Sequence, residues 1–247
     1  MSFHDHFSGV SAVYARFRPK YPDALFDFLA RAAPAREHVW DAGTGSGQAA
    51  VGLAQHFAHV VATDASAEQI QHAEPSATVE YRVARAEASG LAARSMDLVT
   101  AAQALHWFDQ PRFWAEARRV LRPGGVIAVW TYDLLEIAPA IDVSFRRFYR
   151  DVVGSFWPPE RRLIEERYRN IEFPFDEFTA PDFAIERHMT LDDVSSYIRT
   201  WSATRAYVEH HGRDPVDALR AELAPVWGQP QEPRLVRWPI ATRVGRV

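Results

Sequence analysis

Cysteine is absent from this 247-residue chain. That excludes disulfide frameworks, thiolate metal sites and cysteine nucleophiles together. Lysine is nearly absent: of the 28 basic residues only Lys20 is one, so lysine-dependent chemistry has a single candidate. No apolar run approaches membrane-spanning length. The opening residues Met1 to His6 lack the basic-then-apolar pattern of a signal peptide, so a cytoplasmic location without membrane attachment is expected. Positive charge is not in excess either. The formal net charge is -4 and no basic run stands alone, which gives no support to a nucleic-acid partner. Internal repeats and low-complexity tracts are also missing. What remains is 47% hydrophobic and 24% charged, a composition that excludes intrinsic disorder. The length suits one large domain, or one α/β domain carrying an insertion.

Four stretches are expected. Residues 1–36 read as a leader and lid, whose Arg18-Pro19 and Tyr21-Pro22 steps disfavour helix until about Asp23. A helix then runs to Pro34. Residues 37–131 alternate short apolar runs with helical stretches, the pattern of a doubly wound parallel sheet. Strands are expected at 38–42, 60–64, 78–84, 96–101 and 126–131. Ser66 and Asp109 are read as helix caps, and Pro123-Gly124-Gly125 as a helix breaker. Residues 132–231 read as a mostly helical cap, with helices near 137–152, 159–169, 190–200 and 214–224 and a strand near 183–189. Residues 232–247 read as closing strands, with Pro239 at an edge or a bulge.

The chemistry concentrates at Asp41-Ala42-Gly43-Thr44-Gly45-Ser46-Gly47, where the first strand meets its helix. Glycines there allow a sharp turn and close approach of a cofactor. Asp64 ends the next strand 21 residues after Gly43, placed to accept the hydroxyls of a ribose. Two cofactors compete. A dinucleotide loop wants G-x-G-x-x-G/A, and its third position here falls on Gln48. The spacing present is G-x-G-x-G at Gly43, Gly45 and Gly47. Asp41 would repel a pyrophosphate but attract an ammonium or sulfonium, which favours S-adenosylmethionine.

On these residues the chain resembles the class I S-adenosylmethionine-dependent methyltransferases, in the small-molecule "type 11" group that includes trans-aconitate-type enzymes. The resemblance covers 37–131 with ordered motifs and extends more loosely to Tyr14, Arg18 and the C-terminal Trp238 to Arg246. It implies a Rossmann-like seven-stranded sheet of order 3-2-1-4-5-7-6, its last two strands coming from beyond the insertion. It also implies that Asp41, Gly43, Thr44, Gly45 and Gly47 wrap the methionine part of the cofactor and that Asp64 holds the ribose. Arg85 and Ala86, in Ala84-Arg85-Ala86-Glu87, fall where adenine is held, and Gln103, Tyr14 and Arg18 are further expected cofactor contacts. The motif Asp97 to Phe108 would border the methyl group. Departures lie at Arg85, where aspartate or glycine is common, and in the link Ala88-Ser89-Gly90-Leu91.

The expected activity is transfer of a methyl group to a small-molecule acceptor, with a carboxylate or hydroxyl oxygen favoured and S-adenosylhomocysteine as product. His106 is the candidate catalytic base; a histidine satisfied within the core is its plainer reading. Glu116 and Arg119 read as an i,i+3 surface pair. No metal is expected, since His56 and His59 lack a third ligand. A nicotinamide-dependent oxidoreductase and a non-catalytic S-adenosylmethionine-binding protein are the alternatives, the first weakened by the isolated Lys20. Residues 145–207 hold thirteen aromatics against seven in 37–129, so an acceptor pocket in the cap would be apolar or aromatic. Arg146, Arg147 and Arg150 could instead anchor an acidic acceptor, yet 134–200 carries thirteen acidic against nine basic residues.

Overall fold

The computed structural model describes residues 20–247. They divide into two units. One comprises residues 20–133, 162–184 and 240–247, the other 134–161 and 185–239.

The first unit opens with α1 (Asp23–Ala32), which buries Leu25, Phe26, Leu29 and Ala30 and ends before Pro34. Then follow β1 (His38–Ala42), α2 (Gln48–Leu53), β2 (His59–Asp64), α3 (Ala67–Gln71), β3 (Val79–Val83), β4 (Met96–Ala102), α4 (Gln110–Val120) and β5 (Leu121–Tyr132). These five strands are parallel in the order β3-β2-β1-β4-β5. Val39, Trp40, Leu98, Val99 and Ile127 to Trp130 are fully buried, as strands covered on both faces require. Ser66 caps α3 through the Gln69 amide, and Asp109 caps α4 through the Arg112 amide, both as expected.

The α4–β5 junction differs from expectation. The helix stops at Val120, and Leu121 already pairs with Met96 before Pro123-Gly124-Gly125 is reached. The next pair is Leu98 with Val126, so four residues of β5 oppose one of β4. Gly124, at φ 77°, absorbs the excess. The opposed residue, Asp97, is buried. It accepts the Glu37 and His38 amides and pairs with Arg122 at 2.8 Å.

Beyond β5 the sheet continues through β6 (Asp176–Phe178), β7 (Phe183–Met189) and β8 (Arg234–Arg246). The order is β3-β2-β1-β4-β5-β8-β6, with β7 also pairing β8. β8 runs antiparallel to β5, and β6 antiparallel to β8, which reproduces the expected arrangement with the C-terminal strand between the fifth and sixth. Two details are corrected. Among the described residues the sheet has eight strands rather than seven, and β6 arises inside 132–231 rather than after it. Residues 162–184 pack with the sheet unit, although they fall in the span read as cap. Pro239 lies within β8, just past the Tyr132–Ile240 pair and before the isolated Glu136–Arg237 bridge, where the ladder is interrupted.

The second unit holds α5 (Pro139–Arg147), which runs into one π turn at 148–152, and α7 (Leu191–Arg199), opened by a Thr190/Asp193 capping box. It also holds α8 (Ser202–His211) and α9 (Val216–Trp227). The short α6 (Arg161–Glu165) begins with the last residue of 134–161 and continues into 162–184 of the first unit. α8 was not legible as a separate helix. Glu222 of α9 accepts from Ser144 and Arg147 of α5, and Arg199 pairs with Asp214 and Asp217.

Glu116, read as a surface residue, is a buried clamp. It accepts the Ser89 amide at 2.9 Å, the Ser89 hydroxyl at 2.5 Å and the Arg119 guanidinium at 2.7 Å, while Arg119 also donates to the Leu91 carbonyl. The unusual Ala88-Ser89-Gly90-Leu91 link is thereby pinned to α4. The Arg119 guanidinium, helped by Ser89 and opposed by burial, holds the Glu116 carboxyl down at about 2. A depressed carboxyl contributes stability above the unfolded value near 4.5 that is lost as pH falls towards 2. Glu116→Ala is therefore expected to cost about 2 kcal/mol at pH 7. Denaturant titrations should show the gap to wild type closing below pH 4; a pH-independent gap would reject the clamp.

Candidate functional site

The site begins with a buried acid. Asp41, the fourth residue of β1, is 0% exposed, and β1 lies between β2 and β4. Its Oδ1 accepts the Thr100 hydroxyl of β4 at 2.7 Å, and its Oδ2 accepts the Thr44 hydroxyl at 2.6 Å. No cation pairs with it among the described residues. Burial raises its pKa to about 6; the two hydroxyls oppose the rise and the Asp64 charge adds to it.

From Asp41 the chain enters the glycine loop. Gly43 has φ 66°, and a Cβ there would lie 2.7 Å from Ala104 Cβ and 2.8 Å from the Phe108 ring. Gly47, at φ 88°, has the Tyr81 hydroxyl 2.3 Å from where its Cβ would be. Both positions need glycine for conformation and for space. Tyr81 donates to the Glu74 carbonyl, and the Glu74 amide donates to the Ser46 carbonyl. The loop is thus backed by β3. Burial pushes the Tyr81 phenol to about 12, with Asp41 and Glu74 adding to the effect.

Asp64, at the end of β2, braces the loop from the other side. Its Oδ2 accepts the Gly45 amide at 2.9 Å and its Oδ1 accepts the Ser66 amide at 2.8 Å. Gln103, just beyond β4, takes a left-handed φ of 55°. Its side chain accepts from the Thr131 hydroxyl and the Tyr132 amide and donates to the Tyr132 carbonyl, while its own amide donates to the Trp130 carbonyl. The side-chain amide of Gln103 is thus bonded to the end of β5.

The turn after Gln103 carries His106. A short 3-10 helix, Leu105–Trp107, buries the imidazole to 7% exposure, and Nδ1 lies 2.8 Å from the Tyr168 hydroxyl. Ala104 and Phe108 of the same turn pack on Gly43, so this turn and the glycine loop are fitted to one another. Arg85 is exposed beside Glu87 at 3.3 Å; Ala86 is buried, and Glu87 also accepts the Asp109 amide.

The comparisons with known proteins agree with this geometry. A family model described as "Methyltransferase domain" matches residues 40–129. A protein of Dictyostelium discoideum named as a methyltransferase is 34% identical over 225 residues, covering 90% of this chain and 86% of the relative. The chain belongs to the S-adenosylmethionine-dependent methyltransferases. A solved structure described as a type II methyltransferase, from Anaeromyxobacter dehalogenans, is 46% identical with a TM-score of 0.89, covering 93% of this chain and 97% of that one. A Saccharomyces cerevisiae protein named for S-adenosylmethionine-dependent methyl transfer is 22% identical over 83% of each chain.

For this methyltransferase the nicotinamide alternative is closed. S-adenosylmethionine fits the residues present: a buried carboxylate without a cationic partner among the described residues, beside a loop with no Cβ at Gly43 or Gly47, suits a cationic ligand held at close range. The structure brings Asp41, Gly43, Thr44, Gly45, Gly47 and Asp64 together by direct bonds or shared backbone. Tyr14 and Arg18 lie outside the described residues. Sequence reasoning missed Thr100, Tyr81 and Tyr168, which meet the loop or His106 only through tertiary packing.

A raised carboxyl has a definite sign. Native methyltransferase binds the Asp41 proton more tightly than the unfolded chain does. The ionised group therefore destabilises the fold above pH 6, and the penalty fades as pH falls towards 4. Asp41→Asn should accordingly raise stability by roughly 1–3 kcal/mol at pH 8 and by little at pH 4.5. Thermal melts at the two pH values check this; an equal loss at both would mean that the acid is a structural asset.

Proposed function

We propose that this methyltransferase moves a methyl group from S-adenosylmethionine to an oxygen of a small-molecule acceptor, a carboxylate or a hydroxyl, in the cytoplasm and with no nucleic-acid partner. The observation that carries the reading is the packing of the His106 turn directly on the glycine loop through Ala104 and Phe108. That puts one buried imidazole at the carboxyl ends of β1 and β4, where ligands of parallel α/β sheets bind. Bound S-adenosylmethionine supplies an electrophilic methyl carbon on a sulfonium, and the chain's part is alignment and exclusion of water.

In this reading Asp41 balances the cationic end of the cofactor through its loop. Gly43 to Gly47 admit the methionine portion against backbone, with Thr44 holding the loop to Asp41. Asp64 accepts ribose hydroxyls. Ala86 and Arg85 border the adenine, and Tyr14 and Arg18 belong to a leader, 1–36, that acts as a lid. Gln103 fixes the end of β5 beside the reacting atoms. The acceptor is assigned to the insertion, 132–231. Support for an apolar or aromatic acceptor body comes from the second unit, where Tyr149, Trp157 and Trp201 keep half-buried rings within 6.0 Å of one another.

A labelled-methyl screen over carboxylic acids, phenols, alcohols and amines tests the function. Label should enter an oxygen acid or hydroxyl compound; transfer confined to amines would overturn the reading. Asp64→Ala is expected to weaken S-adenosylhomocysteine binding by about two orders of magnitude, as loss of a charged hydrogen-bond partner does. Calorimetry showing unchanged affinity would remove Asp64 from the cofactor site.

A further inference from the structure

Four strands place Thr100, Asp41, Ala62 and Tyr81 in one row. Asp41 of β1 pairs with Thr100 of β4 and with Ala62 of β2, and Ala62 pairs with Tyr81 of β3. Residues paired across a sheet project to the same face. The glycine loop meets this row at two points. Thr44 bonds to Asp41, and the Tyr81 hydroxyl fills the space that a Cβ on Gly47 would take. Ala62, between acid and phenol, is buried and ends at its Cβ, which leaves the phenol room to cross β2. The hydroxyl has a defined partner there. It donates to the Glu74 carbonyl at 2.7 Å, and the Glu74 amide donates to the Ser46 carbonyl at 3.1 Å. Asp64, at the end of β2, accepts the Gly45 amide. Gly45, Ser46 and Gly47 are thus each held by the stretch from Asp64 to Tyr81. Tyr81 secures the last of them, the left-handed residue from which α2 starts.

We propose that Tyr81 is a positioning residue for the cofactor: by bonding Glu74 and bearing on Gly47 it holds the glycine loop in its binding shape, and cofactor binding in turn tightens the chain at Glu74. The inference rests on the reading that Gly43 to Gly47 hold the methionine part of S-adenosylmethionine. Tyr81 acts through the loop and touches no reacting atom. Burial, then the Asp41 and Glu74 charges, push its phenol up to about 12, so it remains a donor at any pH below that. A phenylalanine in its place would keep the ring but release the Glu74 carbonyl. Gly47 would then leave its left-handed turn more often, and ordering the loop again on binding would cost affinity. The coupling is reciprocal: whatever in the loop favours the cofactor is favoured by it. Glu74 therefore reports occupancy of the loop through its bond to Ser46.

Tyr81→Phe tests this beside Val79→Ala, which trims the same strand at its other end. Calorimetry with S-adenosylhomocysteine should give a Kd about fivefold higher in Tyr81→Phe, as loss of one neutral hydrogen bond does, and an unchanged Kd in Val79→Ala. Amide hydrogen exchange of the cofactor-free protein, read by NMR, should quicken at Gly47 in Tyr81→Phe alone, because the Gly47 amide's bond to the Thr44 carbonyl opens more often. Adding S-adenosylhomocysteine to wild type should slow exchange at Glu74, and most of that protection should be lost in Tyr81→Phe. Unchanged affinity with unchanged Gly47 exchange would overturn the proposal. Equal effects in the two variants would reduce Tyr81 to packing within β3. If Tyr81→Phe lowers the thermal midpoint, quickening centred on Gly47 still supports the brace, and uniform quickening across β1 and β4 rejects it. Asp64→Ala separates this inference from the reading beneath it. Weaker binding in Asp64→Ala but not in Tyr81→Phe rejects the role of Tyr81 alone; unchanged binding in both removes the loop from the cofactor site.

Discussion

A single buried carboxylate joins the sheet to the glycine loop. Asp41 draws a hydroxyl from β4 through Thr100 and a hydroxyl from the loop through Thr44, so adjacent strands and the turn between β1 and α2 converge on one anion. Leaving a charge there without a cation is unfavourable, and the raised pKa expresses that cost. Proteins retain such a group where a ligand compensates for it. The same anion explains the company it keeps: Asp64 is tied to Gly45 and Ser66, and Tyr81 stands behind Gly47, so the loop is fixed before any cofactor arrives. Preorganisation of this kind lets binding free energy go into alignment instead of into ordering the loop.

The glycine loop and the strands around it were legible in the sequence because their determinants are local. Three glycines within five residues, an acid before them, a second acid ending the next strand, and the caps Ser66 and Asp109 each act within a few residues of where they stand. Local rules therefore located β1 to β4 to within about two residues and assigned Asp41 and Asp64 to one site. Even there, local rules failed where tertiary pairing took over. Pro123-Gly124-Gly125 has the composition of a helix stop, but Leu121 is recruited into the sheet by Met96, which ends α4 earlier and leaves the Pro-Gly-Gly as slack in the strand.

Elsewhere, determinants are separated by tens of residues, and sequence patterns lose their hold. β6 is only three residues long and exists because β8 offers an edge. α8 lies between the helices expected at 190–200 and 214–224, in a stretch for which no helix was expected, and follows Trp201, whose extended backbone separates it from α7. The side-chain amide of Gln103 closes on Thr131 and Tyr132, a bond that no local motif announces because it depends on β4 and β5 being neighbours. Glu116 looked solvated because its i,i+3 partner Arg119 is beside it; the Ser89 contact that buries it comes from a loop 27 residues away.

His106 brings the two regimes together. Its position after β4 follows from local motif order, so it could be named as a candidate. Its hydrogen bonding does not, because the Tyr168 hydroxyl arrives from 62 residues away on a left-handed turn braced by Arg243 and Glu177. An imidazole can be base, acid or oriented donor, and only the partner at its other nitrogen distinguishes these roles. Cofactor identity is thus written in short-range sequence. Which distant side chain reaches Nδ1 is a property of the folded chain.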